Sequence, residues 1–548
     1  MSNSTKTPPE RHPASTAVTG FTPTVSTNER REIVATLTAD GSRFVASGTL
    51  TPASRTDPVY ITLPPRECLP IVFVPGIMGS NLLSTKDQET KIWRLDGEKP
   101  VGLFLKYWTK GAAKRQAMLK PHEAEVDDGG AISGTAALVQ QRRARGWGEV
   151  GQGSYHEFLL WLEEQLNSGR SSKDAHVRQV RALSQTWRPE LFGHLLSEQD
   201  IKKCLGFRYP VYAVGYNWLD DNAKAAERLA SRIKEIINEN KNSYSSCEQV
   251  ILVTHSMGGL VARACARLAG MQDKIAGVIH GVMPAQGAPV AYRRCKVGMW
   301  DEVNGIETTA AMVIGVNGSE VTAVFAQAPG ALQLLPNQDY PSGWLQVQHQ
   351  GDTLLRLPKQ DPYDEIYKVK DKWWALVSQQ TLGKVSWSNY EKNINLAKSF
   401  HTTTLGRYYH PETHVFYGAD PKQKSVEQVR WQLTPDQVAS RTVLPVSSVL
   451  HSQAYLEGSS NLLRVQPHDG GNWRQVAWGA VCSKPDQPGD GTVPVASGKA
   501  PAKTGDPAVR QQFGLSGFAH EPAYHNRHVN EAVLHSIVKV TGRARVPA

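Results

Sequence analysis

The chain is expected to adopt an α/β fold, with a mainly parallel central sheet covered by helices on both faces. Three observations lead there. Short apolar runs bounded by Gly or Pro recur at Ile71 to Val74, Val211 to Val214, Val250 to Val253, Ile275 to Ile279 and Val415 to Tyr417, and strands buried on both faces read as such continuous runs. Helical patterns alternate with these runs, which is the arrangement that winds a parallel sheet. A serine, Ser256, follows the third run at a strand-to-helix corner flanked by Gly258 and Gly259.

After Asp220-Asp221-Asn222, the apolar positions Ala223, Ala226, Leu229, Ala230, Ile233, Ile236 and Ile237 fall on one helical face behind an acidic N-terminal cap. Downstream of Ser256, Leu260, Val261, Ala264 and Leu268 form another such face, with Arg263 and Arg267 off it. Gln511 to Leu515 reads as a last strand, and the helix behind it carries Val529, Ala532, Val533 and Ile537 on one side.

Residues 1–30, rich in Ser, Thr and Pro, read as a flexible leader. Residues 31–84 hold an N-terminal β region, with Ile33 to Leu37 and Arg43 to Gly48 on either side of an Ala39-Asp40-Gly41 turn, and the first core strands. Two long stretches, 85–153 and 290–408, interrupt the alternation as insertions that build a cap; 154–289 and 409–548 supply the rest of the core. The first insertion carries an apolar patch, Val101, Leu103, Phe104, Leu105, Tyr107 and Trp108; the second holds Met312-Val313-Ile314, Val321 to Ala328, Leu334-Leu335 and Trp373-Trp374. These residues suit either a lid over an apolar substrate or the core of the cap itself.

At 548 residues and 40% hydrophobic, the chain can bury a large core. Its 61 basic and 51 acidic residues leave a net +10 without a long basic block, which does not favour nucleic acid as a partner. Six cysteines (Cys68, Cys204, Cys247, Cys265, Cys295 and Cys482) are scattered without C-x-x-C spacing and are expected to be buried thiols. No run of about 18 apolar residues suggests a membrane span, and the polar N-terminus lacks a secretory h-region, so synthesis is expected to end in the cytoplasm. No metal or cofactor signature is found: Gly151-Gln152-Gly153 lacks the third glycine of a dinucleotide loop, and there is no H-E-x-x-H or phosphate-binding loop.

The segment Thr254-His255-Ser256-Met257-Gly258-Gly259 reads as a nucleophile elbow, with Thr254 where the usual G-x-S-x-G has its first glycine. The tight turn matters because a free serine hydroxyl is a poor nucleophile until a histidine takes its proton. An isolated serine before a helix also serves as an ordinary cap. Partners in the order Ser, acid, His distinguish the two readings. The acid candidate is Asp490 in Gly489-Asp490-Gly491-Thr492-Val493-Pro494, with Asp420 as its rival; the base candidate is His520, with His525 and His528 as alternatives. Oxyanion donors are expected at the amide of Met257 and in the loop Pro75-Gly76-Ile77-Met78, with Ile77 ahead of Met78.

Val74-Pro75-Gly76-Ile77-Met78-Gly79-Ser80, Gly215-Tyr216-Asn217-Trp218, the elbow and Gly489 to Pro494 together resemble lipases related to lecithin:cholesterol acyltransferase and to GPI inositol-deacylases. His280 to Pro289 and Val321 to Leu335 also resemble antibacterial lipase effectors of the type VI secretion system. The resemblance implies an α/β-hydrolase fold, with Ser256 as nucleophile, His520 as base, Asp490 as orienting acid, and the Ile77 and Met257 amides as the oxyanion hole. It implies phospholipid or other acyl-lipid substrates met at a membrane surface and cleaved through an acyl-enzyme. It further implies an immunity protein and a secretion-tip protein as partners, and delivery into a rival's periplasm. Acyl transfer to an alcohol and a catalytically silent binding module remain open.

Overall fold

The computed structural model describes residues 31–38, 43–48, 59–94, 110–167, 196–299, 314–370, 372–435, 446–450, 453–455, 462–466, 468–469, 472–473, 478–503 and 508–545. The leader, the Ala39-Asp40-Gly41 turn, the patch from Val101 to Trp108 and Met312-Val313 lie outside them. The chain divides into two compact units, Met1–Pro64 and Pro65–Ala548. In the first, Arg31–Val34 runs parallel to Val59–Thr62, and Thr36–Leu37 pairs antiparallel with Phe44–Val45.

The second unit is built on a six-stranded, wholly parallel sheet. Its strands are β1 (Ile71–Val74), β2 (Val211–Ala213), β3 (Val250–His255), β4 (Ile275–Gly281), β5 (Thr413–Gly418) and β6 (Val509–Leu515), in the spatial order β2-β1-β3-β4-β5-β6. Every residue of β1, β3, β4 and β5 is buried, which is why these segments are legible as unbroken apolar runs.

Side chains alternate across the sheet at the period of two that a strand imposes. Val250 and Leu252 of β3 belong to the same buried cluster as Leu229, Ile233, Leu260 and Val261, whereas Ile251 and Val253 belong to a second one with Phe158, Leu162, Val533 and Ile537. One face is therefore covered by α2 (Asn222–Glu239) and α3 (Gly258–Arg267), the other by α1 (Gln152–Asn167) and α4 (Arg527–Arg543). The acidic cap expected for α2 is Asp221, whose Oδ1 accepts the Ala223 N–H at 3.0 Å.

Arg263 of α3 lies off the helix's apolar stripe and is nevertheless buried. Its guanidinium lies 4.0 Å from the centroid of the Tyr409 ring and donates to the carbonyls of Tyr408 and Gly406. An arginine can be buried when its N–H fork finds carbonyls and its flat face finds a ring.

A second, mixed six-stranded sheet runs in the order Asp352–Leu357, Leu345–His349, Val429–Pro435, Trp478–Cys482, Leu462–Gln466, Gln453–Tyr455. Residues of the second insertion thus pair with chain that lies well beyond it. Trp373 packs edge-on to Trp431 at 5.6 Å and donates to the Val449 carbonyl, so the Trp373-Trp374 pair belongs to the core of this layer. All six cysteines are buried and unbridged. No described helix is long and apolar enough to cross a membrane.

Candidate active site

Ser256 sits between β3 and α3 with φ of +51°, a left-handed backbone that a non-glycine residue adopts at a cost of about 1–2 kcal/mol. Its N–H donates to the Gly281 carbonyl at 2.9 Å, which holds the turn against the end of β4. The corner closes because α3 begins directly over the end of β1. A Cβ on Gly258 would fall 2.4 Å from the Pro75 oxygen and 2.5 Å from the Val74 oxygen. Backbone cannot yield as a flexible side chain does. Gly258→Ala is therefore expected to destabilise the fold by about 1–3 kcal/mol and to lower activity together with the thermal unfolding midpoint; an unchanged midpoint would contradict this account of the corner. Thr254, the departure from the usual elbow glycine, is buried with its hydroxyl 3.2 Å from His280 Nδ1.

Three side chains distant in sequence meet at this corner. His520 Nε2 lies 2.8 Å from Ser256 Oγ, and His520 Nδ1 lies 2.8 Å from Asp490 Oδ2. With an Nδ1–H donating to the carboxylate, Nε2 presents its lone pair to the serine hydroxyl. Asp490 is fully buried; its Oδ1 accepts the N–H groups of Thr492 (3.0 Å) and Val493 (2.7 Å), and its carbonyl accepts the His520 N–H at 2.7 Å. The Gly-Asp-Gly turn thus holds the carboxylate from behind and leaves Oδ2 for the imidazole.

Asp420, the rival acid, uses its oxygens on the Lys422 and Gly517 N–H groups, and these bonds lower its pKa. His525 and His528 are exposed, and His528 lies 3.5 Å from Glu531.

The loop after β1 faces Ser256 across an apolar cleft lined by Ile77, Met78, Trp93, Val290, Phe325 and Leu334, among others. Among the described residues neither the Ile77 nor the Met257 N–H has a protein acceptor, which leaves both for an oxyanion. Trp93 Nε1–H holds the Met78 carbonyl at 2.7 Å, and Tyr216 O–H holds that of Pro75 at 3.0 Å. Asn217 donates to the carbonyls of Pro121 and Ala124, fastening the first insertion to the end of β2.

A second layer escaped the sequence reading. The Gly76 N–H donates to Tyr155 O–H (3.3 Å), the tyrosine lies 2.9 Å from His255 Nδ1, and His255 Nε2 lies 3.0 Å from the His520 carbonyl. This chain ties the loop after β1 to the backbone of His520. Burial, reinforced by the nearby His520, pushes the His255 pKa down to about 3. Burial likewise lowers His280 to about 3 and His401 to about 4. Below pH 6.5 the unfolded chain takes up protons at these positions and the folded chain does not, so stability falls with pH until the folded values are reached. Well below 6.5 the three together remove on the order of 4 kcal/mol per pH unit. Chemical unfolding at pH 7, 6 and 5 should show the decline, and His280→Asn should flatten it by about a third; equal stability at all three values would refute neutral burial.

Serine at the corner after the third core strand, acid and histidine in loops beyond later strands, and a parallel sheet with helices on both faces define an α/β-hydrolase. The family described as PGAP1-like alpha/beta domain matches residues 205–342. Among solved structures, the chain is similar to one described as "The crystal structure of Tle4-Tli4 complex", at 27% identity and a TM-score of 0.68, with 87% of this chain and 99% of that one covered. Phospholipase PlaB from Legionella pneumophila aligns over 60% of this chain and 77% of its own at 14% identity, but its TM-score of 0.18 is too low to indicate a shared fold. No curated protein matches the chain.

Proposed function

We propose that the protein is a lipolytic serine hydrolase that cleaves carboxylic ester bonds of phospholipids through an acyl-enzyme. The observation that carries this is the continuous chain Ser256–His520–Asp490, with 2.8 Å at each link, beside an apolar cleft. Ser256 Oγ attacks the ester carbonyl as His520 Nε2 takes its proton, and Asp490 stabilises the imidazolium that forms. The Ile77 and Met257 amides stabilise the oxyanion. His520 then protonates the leaving alcohol and activates the water that releases the fatty acid. The described parts of the stretches 85–153 and 290–408 form the cap, since both contribute to the cleft: Trp93 from the first, Val290, Phe325 and Leu334 from the second.

The similarity to Tle4 in its complex with Tli4 supports an antibacterial secreted effector held by a cognate immunity protein and delivered to a target cell; in this reading a secretion-tip protein carries it and the target compartment is the periplasm. Incubating wild type, Ser256→Ala and His520→Ala with defined phospholipids and identifying products by mass spectrometry tests the activity. Fatty acid released by wild type alone is the expected result; release by Ser256→Ala at the wild-type rate would end the serine-hydrolase reading.

A further inference from the structure

Beside the triad, the cleft wall carries a carboxylate with an unfilled bonding position. Glu521 follows His520 directly and begins the short turn Glu521–His525. Its Oε1 accepts the Ser154 hydroxyl at 2.5 Å, while its Oε2 is buried and has no donor among the described residues. Both residues line the cleft that contains Ser256 and His520. A buried carboxylate oxygen without a donor is costly, and at a binding surface it is satisfied by what binds there. Arg294 lies on the wall of the same cleft, and most of the remaining lining is apolar.

We propose that Glu521 is a specificity-determining residue whose free carboxylate oxygen receives the primary ammonium of a phospholipid head group, while Arg294 faces the phosphate. The inference rests on the phospholipid reading above. The chemistry discriminates among head groups. An ammonium with N–H bonds gives Oε2 a charge-assisted hydrogen bond, whereas a trimethylammonium has no N–H to donate. A glycerol hydroxyl donates without the charge. Ethanolamine and serine head groups share the ammonium and differ in the carboxylate that serine adds.

The test compares dioleoyl phospholipids bearing ethanolamine, serine, choline or glycerol in detergent mixed micelles, with the full-length chain. The ethanolamine and serine lipids are expected to exceed the other two in kcat/KM by about tenfold, and Glu521→Gln is expected to collapse that ratio. Three results would overturn the proposal: choline lipid matching ethanolamine lipid, glycerol lipid matching it, or Glu521→Gln lowering all four alike, as a merely structural role would. The wild-type comparison needs no variant, so a misfolded Glu521→Gln does not block the test. Release of fatty acid from none of the four lipids would defeat the phospholipase reading itself. Glu521 is then judged by titrating Ser256→Ala with glycerophosphoethanolamine and glycerophosphocholine: about tenfold tighter binding of the former is expected, and equal binding overturns the site.

Discussion

Ser256→Ala and His520→Ala are expected to lower kcat for fatty-acid release by a similar factor, roughly 10⁶, with the double variant no worse than either. On the proposed mechanism the two act as one device. Without the imidazole 2.8 Å away, the serine hydroxyl keeps its proton; without the hydroxyl, the base has nothing to activate. A factor of 10⁶ corresponds to about 8 kcal/mol of transition-state stabilisation. What survives on that mechanism is the contribution of the Ile77 and Met257 amides and of the cleft, which the substitutions leave in place. Steady-state release of labelled fatty acid from mixed micelles measures all three variants. Losses that multiply in the double variant would mean that the side chains work independently, contrary to their direct hydrogen bond.

Asp490→Asn is expected to lower kcat by roughly 10⁴ with little change in the unfolding midpoint. An asparagine can keep the bonds that Oδ1 accepts from Thr492 and Val493 while turning its NH₂ group toward His520. The imidazole then accepts at Nδ1 and places its proton on Nε2, facing Ser256, where it can no longer act as a base. Asp420→Ala has the opposite signature. It removes acceptors from the Lys422 and Gly517 N–H groups, so it should cost about 1–3 kcal/mol of stability and leave turnover within about threefold. Parallel measurement of kcat and unfolding midpoint separates the two; the large kcat loss appearing in Asp420→Ala instead would transfer the acid role.

The central sheet was readable because strands buried on both faces must be apolar at nearly every position, as Ile71–Val74 and Val250–His255 are. The second sheet was not. Leu345–His349 pairs with Val429–Pro435, and that strand with Trp478–Cys482, across more than 40 residues in each case, so no local pattern announces the partners. The buried Arg263 shows the same limit: its sequence context is a polar position on an amphipathic helix, and only Gly406, Tyr408 and Tyr409 make its burial tolerable.

By itself the sequence determined that a serine stands at a strand-to-helix corner, with Gly258 to let the helix pass, and which acids and histidines follow in chain order. Chain order cannot say which carboxylate meets which imidazole. The tertiary structure brings Asp490 rather than Asp420 to His520, because the Gly489–Gly491 turn directs one carboxylate to the imidazole while backbone amides occupy the other. It also revealed Tyr155, His255 and Glu521 around the elbow, residues without a motif whose positions depend on packing between α1, β3 and the turn after His520. The reason is physical: a strained corner is encoded by adjacent residues, whereas a hydrogen bond between loops 30 or 264 positions apart exists only after the sheet has set their distance.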